Sequence, residues 1–245
     1  HLGSQGADTP FLDKMAESDA VSFRRAFCQN PVCVPSRCSF TTGLYPHVSG
    51  HRTMAYLLRE GEESIFSELK NDGYYVWMNA RNDLISAQNE EALYHHASEI
   101  FYGGNIPKLK GPVSPKDEKS PLDFHAMYNG KLGLDENGKN YTRDDEDVDA
   151  AIKRIQNKPK DKPLCVFLGL CYPHPPYQVE EPYFSMIDRS KLEKRIRPEE
   201  CSGKAEIENA IRANQKLQEY SEEQWKELRA AYLGMVTKVD DQFRR

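Results

Sequence analysis

The sequence predicts an α/β fold, a mostly parallel sheet flanked by helices, and three stretches carry that expectation. "SIFSELKNDG" (Ser64 to Gly73) places apolar residues at helical spacing and ends on a glycine. The β-rich "YYVWMNA" (Tyr74 to Ala80) follows at once, so a helix feeds a strand. "KPLCVFLGLCYPH" (Lys162 to His174) is a continuous apolar run after a proline, the pattern of a central parallel strand buried on both faces.

The remaining elements follow in order. "AVSFRRAF" (Ala20 to Phe27) alternates as a strand does. A helix is expected from about Pro35 to Thr42, because proline loses nothing in a first turn and Gly43 suits a C-terminal stop. Residues 106–140 are rich in Pro, Gly, Lys and Asp, with few apolar anchors, and read as a surface excursion. Charged Asp144 to Asp149 leads into a helix reaching about Asn157. Helices then span about Ala205 to Glu219 and Glu222 to the end, with Ser221 as N-cap. The last one carries an apolar stripe of Trp225, Leu228, Tyr232, Met235, Val236 and Val239.

Composition narrows the function. The chain has 245 residues, long enough to bury a substantial core, and a net charge of −5. That balance gives no electrostatic reason to expect nucleic acid or an anionic membrane as partner. No apolar run approaches the ~20 residues of a membrane span. The six cysteines do not read as a disulfide framework, and Cys28, Cys33 and Cys38 are too evenly spaced for a zinc site. Cys165 and Cys171 lie in the apolar run and are expected to be buried. This cysteine usage favours a reducing compartment.

The stretch "NPVCVPSRCSFTTG" (Asn30 to Gly43) concentrates the chemistry. Cys33 beside a helix start fits a buried structural cysteine. It also fits a reactive thiolate, because a helix N-terminus and a nearby arginine both favour the ionised thiol. The whole string, Cys33-x-Pro35-Ser36-Arg37 running to Thr42-Gly43, resembles the signature of the type I sulfatases of the alkaline-phosphatase-like superfamily. The lead-in "HLGSQGADTPFLDKMAESDAVSFRRAFC", the segment "GLYPHVSGHR", the turn "YPHPPYQVEEPY" and the final "KVDDQFRR" are similar to that family too.

The resemblance implies that Cys33 is converted to formylglycine by a sulfatase-maturating enzyme. The function implied is hydrolysis of a sulfate ester on a small anionic substrate, a sugar or other organic sulfate. It implies that Arg37 holds the nucleophile and that His174 protonates the leaving group. Where the family commonly has Gly-Lys-x-His, this chain reads Ala80-Arg81-Asn82-Asp83. Arg81 keeps a cation for a sulfate oxygen, whereas Asp83 replaces an imidazole base by a carboxylate. The resemblance further implies a divalent cation, Ca2+ in expectation, bound through the modified Cys33 and through ligands expected outside this chain. Residues 1–245 are thus expected to be part of a sulfatase catalytic domain, incomplete at both ends. Two other readings stay open: a phosphonate or phosphate ester hydrolase of the same superfamily, and an inactive relative that binds sulfated glycans.

Overall fold

Five parallel-pairing strands and the helices between them make up the computed structural model, which describes residues 6–86, 88–104 and 127–245. The strands are β1 (Tyr75–Asn79), β2 (Glu99–Phe101), β3 (Tyr128–Lys131), β4 (Leu164–Phe167) and β5 (Tyr177–Val179). They fall in two compact units. One comprises Ser22–Ile106 and Arg143–Cys171; the other comprises His1–Val21, Pro107–Thr142 and Tyr172–Arg245.

In the first unit the strand order is β2-β1-β4, all parallel, with Trp77 opposite both Glu99 and Val166. β1 is the middle strand, and alternation sends its side chains to two faces. Val76 and Met78 join a core with Val34 and Cys38 of the Cys33–Thr42 helix, Phe66 of the Ile65–Asn71 helix, and Ala92 and Leu93 of the Glu90–His96 helix. Asn79, of the opposite set, bonds to Asp147 on the Arg143–Gln156 helix. The sheet is therefore covered on both faces, as parallel sheets require. Ser64 caps the Ile65–Asn71 helix in a reciprocal capping box with Ser67.

In the second unit β3 and β5 pair in parallel. The Glu222–Arg244 helix packs on both strands and on the short Tyr183–Met186 helix. Ser221 caps it in a box with Gln224, as expected. Its buried stripe runs through Ala230, Leu233, Met235 and Val236, whereas Trp225, Leu228, Tyr232 and Val239 are only half-buried. Asp240 on the same helix accepts from the Phe11 and Leu12 amides at 3.0 and 2.8 Å, satisfying the start of the Pro10–Lys14 helix. Lys238 and Glu180 form a buried ion pair at 2.5 Å.

Three expectations are corrected. Ala20–Phe27 is not a strand: no described strand runs beside it, and Val21, Phe23 and Phe27 stay exposed. β4 is an edge of the described sheet and half-buried along its length, not a doubly buried central strand. Cys165 and Cys171 are likewise half-buried, and all six cysteines are free. The excursion expected over 106–140 lies mostly outside the described residues; its described end holds β3 and a turn at Asp135–Gly138. No helix among the described residues is long and apolar enough to cross a membrane.

His96 makes the first unit sensitive to acid. It is fully buried, and its Nδ1 lies 2.8 Å from the Ser64 hydroxyl, which also receives two helix amides. Ser64 therefore donates to a neutral imidazole. Burial pushes the His96 pKa down from 6.5 to about 4, and His95 adds to the effect. Between those values the unfolded chain binds the extra proton, so stability falls as pH drops from 6.5 towards 4. The full loss is on the order of 3 kcal/mol. Urea midpoints measured across this window are expected to fall in the parent chain and to change much less in His96→Gln.

Candidate active site

The site grows from the C-terminal ends of β1 and β4, where parallel sheets present ligand-binding loops. Asn79 closes β1, and its side-chain amide bridges to the chain leaving β4. Oδ1 accepts from the Gly169 amide at 2.8 Å, and Nδ2 donates to the Gly169 carbonyl at 2.9 Å and to Asp147 at 3.1 Å. A Cβ at residue 169 would stand 2.6 Å from the Arg81 carbonyl, so only glycine lets these segments approach. Burial raises the Asp147 pKa, while Asn79 and Arg143 act against that rise.

Asn82 shapes the next turn. Its buried Oδ1 accepts from the Leu84 and Ile85 amides at 2.9 and 2.8 Å, and its Nδ2 donates to the Asn79 and Ala80 carbonyls. Asp83 then adopts φ +49, a conformation Asp tolerates better than most residues. The turn aims the Asn82 carbonyl and the Asp83 carboxylate at Arg37. Arg37 donates through Nη1 to that carbonyl, and its Nη2 lies 3.5 Å from Asp83 Oδ2.

Cys33 opens the helix that carries Arg37 one turn later. The helix begins two residues earlier than the sequence suggests, so Pro35 occupies its third position, still inside the first turn. No side chain caps the first-turn amides, which leaves donors and the positive end of the helix dipole beside Cys33. The far end is tied down: Thr41 and Thr42 hydroxyls donate to the Arg37 and Cys38 carbonyls, both at 2.7 Å. Gly43 stops the helix at φ +73. Cys33 is half-buried, whereas Cys38 is fully buried and its thiol is pushed up to about 11 by burial, with Glu62 adding to it.

Arg81 is exposed and lies beside Cys171, whose thiol is raised by burial and pulled back by the arginine. A cavity of about 500 Å3 opens here, with Val34, Leu57 and Tyr102 as apolar wall and Arg81, Asp83 and Arg143 as charged groups. Four of the five sequence-derived residues, Cys33, Arg37, Arg81 and Asp83, thus belong to this unit. The fifth, His174, belongs to the other unit; it is exposed, with Nδ1 2.6 Å from the Pro175 carbonyl. Asn79, Asn82, Arg143 and Gly169 escaped the sequence reading. The Asn pair bracketing Ala80-Arg81 at a strand end was the available signal. Among the described residues no three His, Cys, Asp or Glu side chains gather as a metal site.

Comparison with known proteins settles the class. The sulfatase family model matches residues 2–245, and the chain belongs to the sulfatase family. An ulvan-active sulfatase of Formosa agariphila is 27% identical over 186 residues, covering 76% of this chain and 29% of the relative. The phosphonate monoester hydrolase of Agrobacterium radiobacter superposes with a TM-score of 0.64 at 19% identity, covering 99% of this chain and 54% of that one. A protein solved with its substrate D-glucosamine-2-N,6-O-disulfate gives 0.60 at 16% identity, covering 99% and 57%. The chain therefore spans under a third of that curated relative and about half of those solved chains. The fold expectation, a parallel α/β sheet of the sulfatase and alkaline-phosphatase type, holds.

Gly169→Ala is expected to destabilise the first unit by about 1–3 kcal/mol, because backbone rather than a flexible side chain must move. Urea unfolding of the variant beside the parent measures it.

Proposed function

We propose that this chain is the part of a sulfatase that carries the nucleophile, and that the whole protein hydrolyses a sulfate ester of a carbohydrate or similar organic alcohol. The observation that carries the reading is the uncapped helix start at Cys33 with Arg37 one turn on, its guanidinium held by the Asn82 carbonyl and Asp83. Cys33 fits conversion to formylglycine: it is half-buried, free, and flanked by amide donors and a cation. When present, that group supplies a hydrated aldehyde, with one hydroxyl to attack sulfur and a second to release sulfate.

The chain's own residues do the rest. First-turn amides and the helix dipole favour an anion at Cys33. Arg37 offsets negative charge there, with its fork fixed by two partners so that little rotamer freedom is lost on binding. Arg81 binds a sulfate oxygen. Asp83, next to Arg37, accepts the proton of the second hydroxyl as sulfate is released. His174 donates a proton to the departing alkoxide. A divalent cation would complete the site in this reading, held by the modified Cys33 together with ligands expected outside this chain.

A phosphonate or phosphate ester is the second reading, favoured by the phosphonate monoester hydrolase likeness, since both substrates are tetrahedral anions. Mass analysis of the tryptic peptide Ala26 to Arg37 from the whole protein tests the nucleophile. An aldehyde in place of the Cys33 thiol is expected, and an unmodified thiol sinks the formylglycine mechanism. Turnover of matched sulfate and phosphonate esters separates the two substrate readings. No turnover by a modified protein would leave a binding relative. Arg37→Ala is expected to lower kcat on the sulfate ester roughly 10²- to 10³-fold, measured under saturating substrate.

A further inference from the structure

The second unit holds a cavity that the chemistry above does not use. It lies between residues 192–197 and the first two turns of the Glu222–Arg244 helix, and its volume is about 220 Å3. Five of its lining residues are cations, Lys194, Arg195, Arg197, Lys226 and Arg229, against the carboxylates of Glu193 and Glu222. In a chain of net charge −5 this concentration of positive charge is out of proportion.

Ordinary surface pairing accounts for part of it. Arg195 pairs with Glu222 at 2.8 Å and Lys226 with Glu223 at 2.8 Å, while Arg229 donates to the Glu193 carbonyl at 2.7 Å. Among the described residues Lys194 and Arg197 make no ion pair; Arg197 acts on Glu222 only through space. Among the described residues, the side chains of Lys194, Arg197 and Arg229 are therefore left without a carboxylate partner, and Glu193 is the one lining carboxylate outside these pairs.

The shape and chemistry limit the ligand. The volume falls below the ~300–1,000 Å3 of cavities that enclose a whole drug-sized molecule, so it suits one charged sugar unit or substituent. Its lining is dominated by cations, which suits holding an anion. Guanidinium and ammonium groups together match the oxygens of a sulfate monoester. Arg195 lies over the Trp225 ring at 5.4 Å, and Tyr220 packs against that ring at 5.1 Å. The ring is therefore committed, which disfavours base stacking by a single-stranded nucleic acid.

We infer that this cavity is a non-catalytic anchoring site for a sulfated polysaccharide, gripping one sulfate group through Lys194 and Arg197. The sugar identity rests on the sulfatase reading above, whereas the anion site rests on the cavity alone. Anchoring one sulfate keeps the other sulfate esters of the same polymer close to the protein, so the site acts on KM for polymers and not on kcat.

The test is affinity electrophoresis of the whole protein through gels containing dextran sulfate, at low and at physiological salt. Lys194→Glu with Arg197→Glu is expected to weaken retention roughly tenfold or more. Lys204→Glu with Lys216→Glu, an identical change of net charge at exposed positions of the same unit, is expected to leave it within about twofold. Turnover of a small aryl sulfate is expected to be unchanged by either pair. Equal weakening by both pairs, or by neither, overturns the site, as does equal retention of the parent by poly-dT. Lys194→Ala with Arg197→Ala, checked by thermal unfolding, separates lost binding from lost folding. If the protein turns over no sulfate ester yet loses dextran sulfate only in the cavity variants, the anchoring site stands and the sulfatase reading fails. If it turns over sulfate esters and the cavity variants bind normally, the reverse holds.

Discussion

Much of the first unit depends on one side-chain amide. Asn79 ends the middle strand and is fully buried, so neither its oxygen nor its nitrogen can rely on water. Both its donors and its oxygen are engaged, by Gly169 on the neighbouring strand's exit and by Asp147 on the covering helix. Strand ends are where a sheet would otherwise fray. The amide turns that weak point into a joint between three elements, and the Ala80–Asp83 turn starts from it.

From that joint, order passes to the charges. Asn82 holds the turn by satisfying two amides and two carbonyls with one side chain. The turn then presents a carbonyl and a carboxylate to Arg37, which sits on a helix from a different part of the chain. A guanidinium fixed at two points is held ready before any ligand arrives, and electrostatic stabilisation is strongest when the groups need not reorganise.

How much of this was legible in the sequence varies with how local the cause is. The signature helix could be read because its start, its Arg37 spacing and its Gly43 stop are encoded within a dozen residues. Ser221 was legible for the same reason, since caps act within one turn, whereas the Ser64 cap was not read. The strand expected at Ala20–Phe27 failed because alternation describes a side-chain pattern, while a strand also needs a neighbour to bond. The apolar run at Leu164–Phe167 does form a strand, but its burial depends on what lies beside it. In the site, the residue types of Cys33, Arg37 and Arg81 carried the reading. The Arg37–Asp83 pair and the Asn79–Gly169 bridge join residues 46 and 90 positions apart, which no local pattern displays.

The fold also imposes an order in time. Pro35 is buried, Arg37 is bound to Asn82, and the hydroxyls of Thr41 and Thr42 are turned back on their own helix. The features that make Cys33 to Gly43 recognisable as a string are thus the ones that folding consumes. Any partner that must read those side chains in extended form has to meet the chain during its synthesis or export. In the folded protein Val34, Pro35, Cys38, Ser39 and Thr41 are buried, and Cys33 itself is half-buried.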